Sequence, residues 1–194
     1  MSGRKLFIFL EGNDDVRFFS AAITPLFAQR YERIDLVRYA CLKCLKLSKY
    51  IRSLDKMGYE DILIADIDNE PGVRAKKELI IERYPEVQES RIIVIVREIE
   101  SWYLAGLDGR ASHLLGVRPL DHTDFVTKEQ FNRWIPSRFG SRISFMVECL
   151  KYFSLPVAKE KNRSFRYFID RFQLDEPDQA GRVHTGSAVQ TAGR

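Results

Sequence analysis

Three observations predict an α/β fold with a mostly parallel four-stranded sheet, helices on both faces and a C-terminal helical cap. Four short apolar runs alternate with segments of helical periodicity over the first hundred residues. These runs are continuously apolar, which is typical of strands covered on both faces. From about residue 99 onward the pattern predicts only helices and loops. Since parallel neighbours require crossover connections, the intervening helices are expected to cover both faces of the sheet.

The first apolar run and the segment after it predict a β-turn-α unit. Residues 5–10 (KLFIFL) predict a buried strand, and residues 14–29 carry apolar side chains at helical spacing. Gly58 and Pro85 each mark the end of a later helix. The other elements predicted in this half are strands at 34–39, 61–65 and 91–96 and helices at 45–57 and 73–84.

The second half of the chain predicts a set of short helices. They are expected at 99–107, 112–115, 128–134, 141–153 and 164–172. The last has Phe165, Phe168, Ile169 and Phe172 at i, i+3, i+4 and i+7, which indicates a core-facing stripe.

These patterns divide the chain into three parts. Residues 1–107 are expected to form the α/β core, and 108–173 a helical cap packed on it. Residues 174–194 contain too few large apolar side chains to stabilise a fold, so a disordered tail is expected there.

Composition limits the class of protein and of partner. With 194 residues, 45% of them hydrophobic, the chain is long enough for one well-buried domain. The formal net charge is +4 and is uneven: residues 1–100 have 17 Lys and Arg against 17 Asp and Glu, whereas 101–172 have 12 against 7. This excess suits a polyanionic partner, although a solvated cationic surface also explains it. Since no apolar run approaches the roughly 18 residues of a membrane span, a cytoplasmic protein without a membrane partner is expected.

The cysteines and histidines predict no metal or redox site. Three cysteines, an odd number, give no disulfide framework and fit a reducing compartment. Cys41 and Cys44 form a C-x-x-C pair, but a second pair or a nearby histidine, which a zinc tetrad needs, is missing from the sequence. We interpret these thiols as structural or incidental.

Acidic residues follow three of the four predicted strands, at the point where each strand ends. The segments are LFIFLEGNDD, ILIADID and IIVIVREIE. Because the carboxyl ends of parallel strands share one edge of a sheet, we expect convergence of Glu11, Asp66, Asp68 and one or both of Glu98 and Glu100. Two carboxylates about 4 Å apart repel by about 4 kcal/mol at an effective dielectric constant of about 20, so the cluster needs protons, cationic side chains or a metal. Oxygen ligands favour Mg²⁺ or Mn²⁺.

Local spacing around the first two clusters adds detail to this interpretation. Gly12 allows a sharp turn beside Glu11 and leaves room for a phosphate. If strand geometry persists beyond residue 65, Asp66 and Asp68 project to the same side and one Mg²⁺ can bridge them. The alternative for the acidic residues after Gly12, Asp15 among them, is a role at the helix N-terminus.

The segment E-G-N-D-D, from Glu11 to Asp15, together with the D-x-D of Asp66 and Asp68, resembles a Toprim domain over about residues 4–105. The stretch R-E-I-E-S-W-Y-L-A is similar to the corresponding acidic stretch of small stand-alone Toprim-like proteins and of overcoming-lysogenisation-defect nucleases. The resemblance implies a Rossmann-like Toprim fold and chemistry on nucleic-acid phosphodiesters with a divalent metal.

Roles for individual residues follow from this resemblance by position. It implies that Glu11 is a metal ligand or general acid/base and that Asp66 and Asp68 are a metal-binding pair. Glu100 matches the glutamate after the fourth strand, with Glu98 as the alternative. The full set of metal ligands implied for Mg²⁺ or Mn²⁺ is Glu11, Asp15, Asp66, Asp68, Glu98 and Glu100.

Cationic side chains near the acidic segments are candidates for neutralising the charge of a phosphorane. Arg97 ends the fourth apolar run, and Lys159, Lys161 and Arg163 precede the last predicted helix. We select Arg97 and Lys161 as catalytic candidates. The alternatives are an ion pair of Arg97 with a neighbouring glutamate and a solvated loop for the lysines.

The sequence thus predicts a metal-dependent nuclease that acts on DNA or RNA. The resemblance suggests defence against foreign nucleic acid, including phage, and an ATPase partner protein. One alternative is a non-catalytic module that binds nucleic acid or an ATPase partner. Another is a phosphotransferase or phosphatase for a small ligand, although the sequence has no nucleophilic aspartate motif after the first strand.

Overall fold

A four-stranded parallel sheet lies at the centre of the protein. The structure, a computed structural model, describes residues 4–174. The strands are β1 (Lys5–Leu10), β2 (Arg33–Arg38), β3 (Glu60–Asp66) and β4 (Ile92–Ile95). They lie in the order β2-β1-β3-β4, and each neighbouring pair is parallel. The predicted α/β class is confirmed, and the arrangement is consistent with a Rossmann-like, Toprim-like fold.

Helices connect the strands and form the second half of the chain. Those of the first half are α1 (Asn13–Phe18), α2 (Thr24–Phe27), α3 (Cys44–Met57) and α4 (Val73–Arg83). A π-helical stretch, Phe19–Ile23, joins α1 to α2, and a 3-10 turn, Glu89–Arg91, precedes β4. The helices that follow β4 are α5 (Glu100–Ala105), α6 (Gly109–Leu115), α7 (Lys128–Trp134), α8 (Arg142–Lys151), α9 (Leu155–Lys161) and α10 (Arg163–Phe172).

Alternate residues of the central strands pack on opposite sides of the sheet. In β1, Ile8 belongs to a core that includes Phe18 of α1, whereas Phe9 belongs to a second core with Ile51 of α3. Helices therefore cover both faces, as the continuous apolar runs predict. The prediction of strands buried on both faces is wrong for β2, whose residues are half-buried or exposed. β2 is an edge strand that pairs only with β1, and it carries charged residues such as Asp35.

The helices after β4 share one apolar core with a face of the sheet. Trp102 of α5 packs against Phe19 and against Phe165 of α10, with ring centroids 6.0 and 5.0 Å apart. Its indole N–H donates to the Oγ of Ser164 at 2.9 Å. The predicted core stripe of α10 is confirmed, because Phe165, Phe168 and Ile169 are buried and Phe172 packs against them.

Two segments near the end of the chain differ from the predictions. Residues 155–161 form α9, where the sequence predicts a loop. Pro156 occupies its first turn, a position at which the missing N–H of proline costs no hydrogen bond. Leu174, assigned to the tail by the prediction, is 2% exposed, and its N–H donates to the carbonyl of Ile169 at 3.0 Å. The rest of the predicted tail, 175–194, lies outside the described residues.

No helix within residues 4–174 combines the length and the apolar character that a membrane span requires.

Candidate functional site

Two clefts open at the edge of the sheet where the strands end. The first, which we call the acidic cleft, has a volume of about 1030 Å³. Its carboxylates are Glu11, Asp14, Asp15, Asp66, Glu98 and Glu100, and its cations are Arg17, Lys128 and Arg142. The other, which we call the second cleft, has a volume of about 750 Å³. Its charged or titratable residues are Asp68, Glu70, Arg97, His122, Asp124, Glu160, Lys161, Arg163 and Arg166.

The strand order explains why the acidic cleft lies at this position. The chain passes from β1 outward to β2 and then returns across β1 to β3, so successive connections leave the centre of the sheet in opposite directions. A crevice forms at such a switch point, beyond the carboxyl ends of the strands. Glu11 follows β1 directly and Asp66 is the last residue of β3, so both border the crevice.

Asp15 is a buried carboxylic acid at the start of α1. It is 5% exposed, and its Oδ2 accepts a hydrogen bond from the backbone N–H of Gly12 at 3.1 Å. A Cβ at Gly12 would lie 3.3 Å from the same oxygen, so glycine permits this close approach. Burial raises the pKa of Asp15 to about 7, and the charges of Glu11 and Glu100 act in the same direction. Asp15 therefore closes the first helical turn and also faces the other carboxylates.

Asp66 has an acceptor atom that lacks a partner. Its Oδ1 is buried and accepts no hydrogen bond from residues 4–174. Burial is the main cause that raises the pKa of Asp66 to about 9, and the charges of Asp15 and Glu11 contribute to this rise. Because a buried acceptor without a partner is costly, a proton or a bound cation would stabilise this oxygen.

Tyr39 fixes the orientation of Glu11. The phenol O–H donates to the Oε1 of Glu11 at 2.8 Å, and the backbone N–H of Tyr39 donates to the carbonyl of Leu10 at 2.9 Å. Burial and the charge of Glu11 raise the pKa of Tyr39, so the phenol stays protonated and serves as a donor. Tyr39 is not identifiable from the sequence as a site residue, because its only signal is a tyrosine at the end of a predicted strand.

Glu98 and Glu100 approach the acidic cleft from the loop after β4. Glu100 is the first residue of α5 and is 3% exposed. A carboxylate oxygen of Glu98 accepts from the backbone N–H of Lys128, the first residue of α7. Burial raises the pKa of Glu98. Both glutamates line the cleft, so the two alternatives left by the sequence occur together.

Arg142 brings a positive charge from α8 into the acidic cleft. Its Nη2 donates to the Oδ2 of Asp14 at 2.7 Å and also to the Oε1 of Glu100. Asp14 also pairs with Arg17 at 2.5 Å. The sequence analysis does not identify Arg142, because it is one of many basic residues in the second half of the chain. For a cation from α8 the only signal in the sequence is the basic excess of that half.

Asp68 does not line the acidic cleft, which corrects the expected projection of Asp66 and Asp68 to one side. β3 ends at Asp66, and the backbone of Asp68 has φ of 51°, in the left-handed region. Its carboxylate lines the second cleft and pairs with Lys76, which is 6% exposed. Strand alternation does not persist through this turn, so the spacing of two residues no longer places both carboxylates together.

The predicted catalytic cations also lie in the second cleft. Arg97 is exposed, and the alternative of an ion pair with Glu98 or Glu100 is not formed; within the described chain Arg97 makes no ion pair. Lys161 lies in α9 and donates from Nζ to the carbonyl of Leu107 at 2.7 Å, and burial lowers its pKa. The alternative of a solvated loop for the lysines does not hold either, because Lys159 and Lys161 belong to α9.

The donor set of the acidic cleft fits a hard divalent cation. The metal-binding side chains that line it are carboxylates, which supply oxygen ligands. One of these oxygens, the Oδ1 of Asp66, is buried without a partner among residues 4–174. Across that same range, no three His, Cys, Asp or Glu side chains are arranged as a complete ligand set. Mg²⁺ needs only one or two carboxylates because it retains several waters and takes phosphate oxygens as further ligands.

Comparisons with known proteins give a distant similarity. No protein-family profile matches this chain, and no curated protein matches it. The chain is similar to the solved C-terminal region of the OLD protein of Xanthomonas campestris pv. campestris, at 15% sequence identity and a TM-score of 0.44. The match covers 88% of this chain and 95% of that one. The function is accordingly inferred from the geometry of the acidic cleft.

Proposed function

We propose that this protein is a Mg²⁺- or Mn²⁺-dependent nuclease that hydrolyses phosphodiester bonds of DNA or RNA in the acidic cleft. The observation that supports this most directly is the buried, unpartnered Oδ1 of Asp66, at a sheet edge that also carries Glu11 and Asp15. Clustered carboxylates with raised pKa values are typical of sites that bind a cation or transfer a proton.

Glu11 and Asp66 are the residues proposed to hold the metal, and Asp15, Glu98 and Glu100 line the same cleft. A divalent ion in such a site supplies Lewis-acid stabilisation of phosphate charge and lowers the pKa of bound water. Tyr39 keeps the Glu11 carboxylate directed into the cleft through its 2.8 Å hydrogen bond. Orientation by an outer residue of this kind strengthens metal binding.

Two other side chains have roles that follow from their surroundings. Asp15, whose pKa is raised to about 7 by burial, can accept or release a proton near neutral pH, as a general acid or base must. Arg142 presents a guanidinium to the cleft and can bind a phosphate oxygen in exchange for Asp14.

The cellular role belongs to the same proposal. Defence against foreign nucleic acid and action beside an ATPase partner protein are implied by the Toprim resemblance of the E-G-N-D-D and D-x-D segments, and a cytoplasmic location is part of the same proposal.

Cleavage by wild type and Asp66→Asn, each with Mn²⁺, tests the proposal. The substrates are a supercoiled plasmid and labelled single strands of DNA and RNA. Wild type is expected to cut at least one of them, and Asp66→Asn to lose the activity by at least about a hundredfold. Asp121→Asn, an exposed aspartate outside both clefts, is the matched control and retains activity. Intact substrates with wild type, or equal cleavage by Asp66→Asn, would overturn the proposal.

One observation favours a second candidate, a non-catalytic module that docks nucleic acid through the same edge. Arg142 already pairs with Glu100 and Asp14, so part of the negative charge of the cleft is neutralised without a metal. This candidate predicts salt-dependent binding of nucleic acid that survives Glu11→Gln, together with no cleavage in any metal.

A further inference from the structure

The acidic cleft and the second cleft are separated only by the loops after β3 and β4. Asp66 lines the acidic cleft, whereas Ile67 and Asp68 line the second cleft. In the same way Glu98 lines the first and Arg97 the second. These two loops, which we call the ridge, thus border both clefts, and a polynucleotide bound at Asp66 can continue along them into the second cleft.

The second cleft differs from the acidic cleft in its uncompensated charge. Two of its carboxylates are neutralised: Asp68 pairs with Lys76, and Asp124 pairs with Arg163 at 2.8 Å. The cations Arg97, Lys161 and Arg166 make no ion pair with a carboxylate of the described chain. They outnumber the remaining carboxylates, Glu70 and Glu160. The lining has four cations and four carboxylates, and Lys76 beside Asp68 adds one further positive charge, which an anionic ligand would neutralise.

Arg97 has an unfavourable backbone conformation and an exposed side chain. Its φ of 70° lies in the left-handed region, which is unfavourable for a residue with a Cβ. The exposed side chain makes no hydrogen bond within residues 4–174. Strained residues of this kind are concentrated at functional sites. The guanidinium at the ridge between the clefts is thus available to a phosphate.

Phe125 is an exposed aromatic side chain on a firmly anchored turn. It lines the second cleft and is 47% exposed. The two residues before it are anchored: the N–H of Thr123 donates to the carbonyl of Lys161 at 2.9 Å, and Asp124 accepts from the N–H of Arg163 at 2.8 Å. The ring is therefore held near the cations without being buried by the protein.

We propose that the second cleft binds a single-stranded flank of the polynucleotide, with phosphates at Arg97 and Arg166 and a base stacked on Phe125. Combining cations that follow the backbone with an aromatic platform is how proteins hold single strands of any sequence. Arg166 is positioned for this by hydrogen bonds from its guanidinium to the carbonyls of Lys159 and Glu160. The inference rests on the proposed function, because it places the scissile phosphate in the acidic cleft.

Binding of labelled single-stranded DNA and RNA to the full chain in EDTA, measured by fluorescence anisotropy over a range of salt concentrations, tests the inference without cleavage. Arg97→Asn keeps a residue type that tolerates positive φ. It is expected to weaken binding and to reduce the slope of log affinity against log salt by about 0.7, the share of one phosphate contact. Phe125→Ala is expected to weaken binding roughly 5- to 100-fold, the effect of one base stack, with the slope unchanged.

Two matched controls are exposed residues outside both clefts. Arg133→Asn on α7 removes an exposed arginine, and Tyr167→Ala on α10 removes an aromatic side chain that is 51% exposed. Both controls are expected to bind as wild type does. Wild-type affinity and salt slope in both Arg97→Asn and Phe125→Ala would overturn the inference, as would equal affinity for single strands and for a blunt duplex. The DNA and RNA arms identify which polynucleotide binds more tightly.

Failure of this inference is distinguishable from failure of the proposed function. A wild-type protein that cleaves nucleic acid while Arg97→Asn and Phe125→Ala bind normally retains the nuclease proposal and loses the second-cleft site. Binding that depends on these two residues, without cleavage in Mn²⁺, retains the second-cleft site and loses the nuclease proposal.

Discussion

Arg142 on α8 pairs with the buried carboxylate of Glu100 on α5, 42 residues earlier in the chain. The ion pair joins the helical half of the chain to the edge of the sheet. Its guanidinium also binds Asp14 at 2.7 Å, so one cation serves carboxylates of two different segments. A divalent metal bound at the same edge would provide the same neutralisation, so the proposed metal binding would also stabilise this part of the fold.

Removal of Arg142 is expected to destabilise the metal-free protein. Arg142→Ala leaves the Glu100 carboxylate buried without a counterion, a change that costs about 3–5 kcal/mol in buried pairs. Denaturation by urea in EDTA gives the free energy of unfolding. Adding Glu100→Gln to Arg142→Ala is expected to restore part of it.

Arg133→Ala, an exposed arginine on α7, is the control for this prediction and leaves stability unchanged. A stability of Arg142→Ala equal to that of Arg133→Ala would show that Glu100 needs no counterion.

Stability is also expected to depend on pH through Asp66. The pKa of its carboxyl group is 3.8 without perturbation, and burial raises the pKa in the folded state to about 9. Between these values the unfolded state loses a proton that the folded state keeps, so this group makes stability fall as pH rises across the window. Asp66→Asn removes the effect. Thermal unfolding in EDTA from pH 5 to pH 9 is expected to show a growing advantage of Asp66→Asn over wild type.

At the upper end of that pH range the advantage is expected to reach at least roughly 3 °C in Tm, the shift that about 1 kcal/mol produces in a domain of this size. Parallel pH profiles for wild type and Asp66→Asn would contradict a raised pKa at Asp66. Asp121→Asn, which is exposed, controls for the loss of one negative charge.

The hydrogen bond between Tyr39 and Glu11 is expected to contribute to metal affinity as well as to stability. Tyr39→Phe removes a 2.8 Å bond to a carboxylate, worth about 1.5–3 kcal/mol when the acceptor is charged. Loss of an outer orienting partner typically weakens metal binding by about 10- to 100-fold. Calorimetric titration with Mn²⁺ measures this. Tyr50→Phe, a ring that packs on Phe7 and Phe9, is the matched control, and equal affinities in the two variants would refute the role of Tyr39.

Asp68 is expected to stabilise the protein without holding the metal of the acidic cleft. Asp68→Asn leaves Lys76, which is 6% exposed, without its partner. A cost of about 1–3 kcal/mol is expected, less than for a fully buried pair, because Asp68 itself is exposed. The double variant Asp68→Asn/Lys76→Met is expected to recover stability and to bind Mn²⁺ as wild type does. A loss of Mn²⁺ affinity in the double variant would restore Asp68 to the ligand set.

The strands and most helices were predictable because their signals are local. The apolar run of β1 has the same bounds in the sequence and in the structure, and Gly58 ends α3 with φ of 69° as its position predicts. The sequence predicts no helix between 153 and 164. Pro156 favours a loop there, although proline is also tolerated in the first turn of a helix, which is its position in α9. In each of these cases one short window of residues determines the outcome.

The site was predictable only in part, because its remaining members come from distant segments. Strand order brings Glu11 and Asp66 together. Their positions directly after two apolar runs are sufficient to predict that they meet at one edge of the sheet. The pairing of Arg142 with Glu100 depends on how α8 packs, which no local pattern encodes. Asp68 is displaced by one left-handed residue conformation, which two-residue spacing does not reveal.

Calorimetric titration of Mn²⁺ into wild type, Glu11→Gln and Asp66→Asn tests most directly whether the acidic cleft is a metal centre. Wild type is expected to bind Mn²⁺, and each single variant to bind it roughly tenfold or more weakly, because one ion shares both carboxylates. No binding by wild type, or the same affinity in all three proteins, would contradict the account.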